Sequence, residues 1–243
     1  MLFRSSEVVC PLFEVVHGQT LVMGALLANP EGAVSARLTL LNKTTNEKRD
    51  ILDIDTTSKG IQAFVDGDSL WYASKETLFR LVLSGDREPK RVRELMNEDL
   101  VACLNGMAII KRAHDPQGDE PSSYSLKIVT EDGELLDCWP WLQGTHGKDL
   151  RCRTVGDWLV MSNEGQPTVI YYDVYVADLD RKFSLLVHRG AGDEKSVLCA
   201  DAQKVVLGGG SLEIVDMAEA HETSRRAEQE AESTESEHGR SEE

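Results

Sequence analysis

The sequence predicts an all-β chain, a β-propeller of about five four-stranded blades followed by a disordered acidic tail. Three observations lead there. A short apolar strand, a tight turn and a second apolar strand recur five times, with turn positions at residues 18, 67, 106, 156 and 203. Each copy is followed by a strand in which apolar and polar residues alternate, and four copies carry one strand more. Residues 217–243 then change composition abruptly.

The hairpins are read over residues 12–23, 61–72, 100–111, 150–161 and 197–208. The turn position is Gly18, Gly67, Gly106 and Gly156 in the first four and Gln203 in the fifth. His17-Gly18, Asp66-Gly67 and Asn105-Gly106 are turn dipeptides, because Gly takes positive φ at little steric cost. The alternating strands follow at residues 38–41, 79–82, 126–129, 174–177 and 212–215. Their first and third positions are apolar, and their second is Thr39, Arg80, Lys127, Tyr175 or Glu213, so that position faces a wetter side. Fourth strands are expected at 49–54, 90–95, 134–139 and 182–187. A unit of four short strands every 40–50 residues has the size of a propeller blade.

In a propeller the first strand of each blade is innermost. Its third residue is Ala63, Ala102, Cys152 or Cys199 in the last four copies, with Glu14 departing in the first. Small residues suit a crowded position, so Cys152 and Cys199 are expected to be buried and unreactive. Gly, Thr, Val and period-two alternation speak against helices. The competing architecture is a generic β-sandwich.

On period and strand pattern the chain resembles the WD-repeat-like β-propeller superfamily over residues 12–216. The Gly-His and Trp-Asp dipeptides of that family are absent, as are the paired glycines of kelch repeats apart from Gly208-Gly209-Gly210. The resemblance implies a degenerate propeller of no particular subfamily. It also implies a terminal strand that completes the last blade, because the fifth copy lacks its fourth strand. Residues 2–9 have the right size, and closure by them would hide exposed edges. The alternative is five blades of a larger ring.

The chain divides into two domains: a propeller over residues 1–216 and a tail over 217–243. The tail holds nine acids and three bases, a net −6 of the chain's −16, with no aromatic or branched aliphatic residue. Such a segment buries too little apolar surface to offset ordering entropy, although its Ala, Glu, Gln and Arg allow a transient helix over residues 218–232. Ser233, Thr234 and Ser236 stand among its acids as candidate phosphorylation positions.

The acidic balance argues against nucleic acid as a partner. No signal-peptide pattern opens the sequence, and no stretch of about 18 apolar residues crosses a membrane. Cys10, Cys103, Cys138, Cys152 and Cys199 are odd in number and form no CxxC pair, which fits a reducing compartment, the cytoplasm or the nucleus. The six histidines form no HxH or HExxH cluster, so no metal is expected, and no phosphate loop or GxSxG motif calls for a cofactor or a nucleophile.

Five-bladed propellers include glycosidases resembling the arabinanase group, whose chemistry needs carboxylates converging on the axis. The inner strands offer Glu14 and Asp201 only, with Gln62, Val101 and Arg151 at the matching positions. The expected function is therefore a non-enzymatic scaffold for protein–protein interaction, with no small-molecule substrate. The alternatives are a degenerate glycan-binding or glycoside-hydrolase-like propeller, or part of a larger propeller. Candidate partner-binding residues are Trp139 and Trp141 in the Asp137–Trp141 apolar cluster, His114 and Asp115 in the long loop of blade three, and Glu164 in the matching loop of blade four.

Overall fold

The structure is a computed structural model that describes residues 8–28, 34–57, 60–84, 88–114, 123–136, 150–164, 171–180, 183–191 and 195–222. The chain forms two compact units. One comprises Met1–Ala113 and Ser125–Leu142, the other His114–Tyr124 and Gln143–Glu243.

In the first unit, β1 (Val8–His17), β2 (Thr20–Ala28), β3 (Val34–Asn42) and β4 (Lys48–Ile54) pair antiparallel in that order. A small ladder of β5 (Thr56–Thr57) and β6 (Gly60–Ile61) comes next. Then come β7 (Ala63–Asp66), β8 (Ser69–Ser74), β9 (Thr77–Val82) and β10 (Lys90–Glu94), joined to the first sheet by a single pair, Ile54 with Ser74. The third sheet is β11 (Glu98–Leu104), β12 (Met107–His114), β13 (Ser123–Val129) and β14 (Leu135–Leu136).

The second unit holds β15 (Arg151–Val155), β16 (Trp158–Glu164), β17 (Tyr171–Asp178) and β18 (Phe183–Ala191) in one sheet. A second sheet contains β19 (Ser196–Ala200), β20 (Lys204–Gly208) and β21 (Glu213–Asp216). Each expected hairpin is present, and Gly18, Gly67, Gly106 and Gly156 take φ of 53°, 52°, 73° and 58° in their turns.

Packing explains the apolar runs. Along β8, Leu70 and Tyr72 face the first sheet, where they join Val22, Leu38, Leu40 and Ile54, and Tyr72 stacks on Phe79 at 5.3 Å. Trp71 and Ala73 point the other way and join Leu100, Cys103, Ala108 and Ile110 of the third sheet. The period of two thus serves two cores at once, and every residue from Ser69 to Ala73 is buried. In the second unit Trp158, Val160, Val174 and Val176 pack with Val197, Val205 and Leu207.

The second and third sheets are also pinned where β9 and β10 meet the β13–β14 turn. Arg80 bonds Glu131 at 2.5 Å and Lys90 bonds Asp132 at 2.9 Å, which holds the Asp132 carboxyl below its usual range. Between those acids and β14 lies Gly133, at φ 86°, where an added Cβ would come within 2.7 Å of the Val92 carbonyl oxygen.

Four expectations are modified. In the fifth alternating strand the phase is reversed: Leu212 and Ile214, expected to face inward, are 70% and 61% exposed, and Val215 packs against the core instead. Val8 and Val9 are not part of a closing strand; they extend β1 and pair with Ala28 and Leu27, while residues 1–7 lie outside the described set. Cys199 is exposed and Cys152 half-buried, because Cys199 falls on the face of its sheet opposite the core-facing Val197; Ala63 and Ala102 are buried as expected. Residues 217–222 form a helical turn where composition predicts disordered chain, and Met217 and Ala220 are buried in the second unit's core. Met217 carries the apolar surface, and its N–H is tied to the Gln203 carbonyl at 2.8 Å.

This packing sets two expected outcomes. Gly133→Ala should lower unfolding free energy by about 2 kcal/mol or more, from the left-handed φ and the backbone clash together. Gly18→Ala, with no atom within 4 Å of the new methyl, should cost about 1 kcal/mol. Urea unfolding midpoints check the order. A thiol reagent followed by peptide mass mapping should modify Cys199 first and Cys152 more slowly, and leave Cys103 untouched until the protein unfolds, because burial pushes the Cys103 thiol strongly up.

Candidate functional site

A cavity of about 520 Å³ opens in the first unit. Its wall comes from three places: the end of β4 with the residue just past it (Asp53, Asp55), the β8–β9 turn (Lys75, Glu76) and the start of β11 (Glu98, Asp99). Five acidic residues and one lysine thus line it, and one of the acids, Glu98, is enclosed between Arg93 and Lys127.

Local geometry sets each acid. The β3–β4 register slips: Ala36 pairs with Ile54 and Arg37 with Leu52, so Asp53 is the extra residue of a bulge, at φ 57°. Its backbone carbonyl accepts from Ser74 Oγ at 2.7 Å, and its carboxylate meets Lys75 Nζ at 3.1 Å. The β8–β9 turn places two non-glycine residues, Lys75 and Glu76, at φ 51° and 56°. Asp55 holds that turn, with Oδ1 accepting the Lys75 N–H at 2.8 Å and Oδ2 the Glu76 N–H at 2.9 Å. Charge-assisted bonds of this kind offset the unfavourable backbone.

On the other side Gln62, itself buried, donates from Nε2 to Asp99 Oδ1 at 3.2 Å and accepts the Leu100 N–H at 2.7 Å. Glu98 is the most enclosed acid, its side chain 2% exposed, bound to Arg93 Nη2 at 3.0 Å and Lys127 Nζ at 2.9 Å. Close to the cavity the chain exposes large apolar side chains: Met96, 72% exposed, sits between the wall residues Leu95 and Asn97, and Leu52, 58% exposed, precedes Asp53.

Chemically this is a hydrogen-bonded, mainly acidic concavity with exposed apolar residues nearby in the chain. Asp55, Glu98 and Asp99 each receive hydrogen bonds from the fold, and Asp53 is paired with Lys75.

The residues singled out from the sequence are only in part among the described ones. Asp115, Trp139 and Trp141 are outside the described residues. His114 ends β12 and Glu164 ends β16, where Glu164 pairs with Tyr172, so the two close strands of different sheets. Of the carboxylates considered for glycan chemistry, Glu14 is exposed on β1. Asp201 lies past the end of β19, in the turn, accepting the Gln203 and Lys204 N–H groups at 2.7 Å. Those bonds hold its carboxyl below the usual range. Sequence reasoning misses the cavity acids, although one signal exists: Asp53 and Asp55 close one unit of the repeat and Glu98 and Asp99 open another.

No protein-family model matches the chain, and no match is found among curated proteins. Among solved structures, an acylaminoacyl peptidase of Pyrococcus horikoshii superposes with a TM-score of 0.63 at 11% identity, covering 86% of this chain and 39% of that one. The β-propeller domain of the Trilobed protease from Pyrococcus furiosus, described as having an open velcro topology, superposes with a TM-score of 0.54 at 13% identity. That match covers 89% of this chain and 70% of the other. The fold is propeller-like. The chain spans about two fifths of the length of the peptidase.

The buried acid gives a prediction. Glu98→Ala leaves Arg93 and Lys127 facing each other and should cost about 3 kcal/mol of stability, whereas Glu98→Gln should cost less. Thermal or urea unfolding of both variants at low and high salt checks this, and the loss should persist in salt because Glu98 is enclosed.

Proposed function

We propose that this chain is a non-enzymatic interaction module, a degenerate relative of WD-repeat-like propellers, whose acidic cavity receives a basic segment of a partner protein. The observation that carries the reading is the concavity itself: Asp53, Asp55, Glu76 and Asp99 line it with one lysine, beside a Glu98 that Arg93 and Lys127 already enclose, and several of these acids are held in place by the fold. Preorganised anionic walls attract Lys and Arg side chains without reorganising, and Met96 and Leu52 offer nearby apolar surface for their stems or neighbours. The fold likeness to propellers found in proteases concerns architecture, and at such identity it assigns no chemistry.

A fluorescently labelled Arg/Lys-rich peptide should bind the full-length protein, and a Glu-rich peptide of equal length should not. Glu76→Lys, a change at an exposed turn position, should weaken binding of the basic peptide about fivefold at low salt, an effect that shrinks as ionic strength rises. Equal affinity in the variant removes the cavity from the reading. Hydrolysis of pentose glycans or acylated peptides by the purified protein removes the non-enzymatic part.

A further inference from the structure

In the second unit the sheet of β19, β20 and β21 is buried on one face and exposed on the other. Val197, Val205 and Leu207 belong to the core. The opposite face presents Ile214, 61% exposed, and Leu198, 56% exposed, with Leu212 at 70% just ahead of β21. Leu198 is the extra residue of a bulge, since Val197 pairs with Leu207 and Cys199 with Val206.

The phase of the ladder shows which backbone groups of β21 are turned outward. The Met217 N–H donates to the Gln203 carbonyl at 2.8 Å, and Asp216 pairs with Lys204, so that pair is a non-hydrogen-bonded one. Glu213 and Val215 therefore direct their backbone groups to β20, and Ile214 and Asp216 direct theirs away. Among the described residues no strand pairs with this outer side. An open edge beside exposed apolar side chains is the arrangement that accepts an added strand.

Charge and composition select the occupant. The edge runs directly into residues 217–243, with nine acids and three bases. That segment has no aromatic or branched aliphatic residue to cover Ile214 and Leu198, and two copies of the chain meeting here would bring two such acidic segments together. We propose that the outer edge of β21 takes, by strand addition, an extended segment of another protein that is apolar on one face and flanked by Lys or Arg. The exposed Asp216, Glu219 and Glu222 at and just beyond the strand supply attraction for the flanks, and Ile214 and Leu198 supply the apolar contact. This surface lies in the other unit from the acidic cavity and does not rest on it.

The test is residue-resolved amide exchange on the full-length protein, alone and with the synthetic peptide acetyl-Lys-Val-Thr-Val-Lys-Val-Arg-amide. In the free protein the Ile214 N–H should exchange at least tenfold faster than that of Val215, and saturating peptide should slow it at least tenfold. Ile214→Pro removes the outward N–H together with the isoleucine side chain, a substitution that edge strands tolerate, and should weaken the peptide tenfold or more. Ile214→Lys, which keeps the backbone and replaces the apolar contact with a like charge, should weaken it at least fivefold should the proline variant fail to fold. The proposal is overturned by an Ile214 N–H already as slow as that of Val215 in the free monomer, which would mean that the chain's own residues cover the edge. It is equally overturned by a dimer in sedimentation equilibrium, by peptide binding without protection at Ile214, by absence of peptide binding, or by unchanged affinity in the folded variants.

Discussion

The burial of both faces of a strand is the constraint on which the first unit depends. In β8 the consecutive residues Leu70, Trp71, Tyr72 and Ala73 alternate between two cores, so one four-residue run is shared by three sheets. Each large side chain fully removed from water contributes about 1.5–3 kcal/mol, and here both orientations of the pleat collect that gain. A slip of one residue would exchange the Leu70/Tyr72 set with the Trp71/Ala73 set, which differ in volume and would fill neither core. Register is therefore set from two sides.

Polar groups then decide what the sheet ends can do. Glu98, taken out of water at the beginning of β11, is held by Arg93 from β10 and Lys127 from β13, which ties the second sheet to the third. Asp55 stabilises a turn whose two non-glycine residues would otherwise be unfavourable there. The same bonds that settle the strand ends leave acids around one concavity, so the cavity's charge is a by-product of how the fold satisfies its own donors.

The second unit shows the converse. Its β19–β21 sheet has a single buried face, and the alternation of Val197, Leu198 and Cys199 is interrupted by a bulge. β11 carries the same bulge between Leu100 and Ala102, yet Ala102 is buried, so Cys199 is exposed because its face of the sheet is left uncovered by the described residues and not because of the bulge. Met217 and Ala220 close the core at the other end, which makes a short helical turn of residues whose composition alone favours disorder.

By itself the sequence determined the strands, the hairpins and their turns, because period-two alternation and glycine at positive φ are local properties that neighbouring residues dictate. Gly18, Gly67, Gly106 and Gly156 are where the pattern places them, and Leu38, Leu126 and Val174 are buried on the strands predicted to carry them. Only the tertiary structure decided which acids share a cavity, that Met217 belongs to a core, and which face of the last sheet stays open. Asp53 and Asp99 lie 46 positions apart in the chain and are brought to one wall by sheet packing. No local preference of either residue encodes that meeting; it depends on the simultaneous placement of every strand between them.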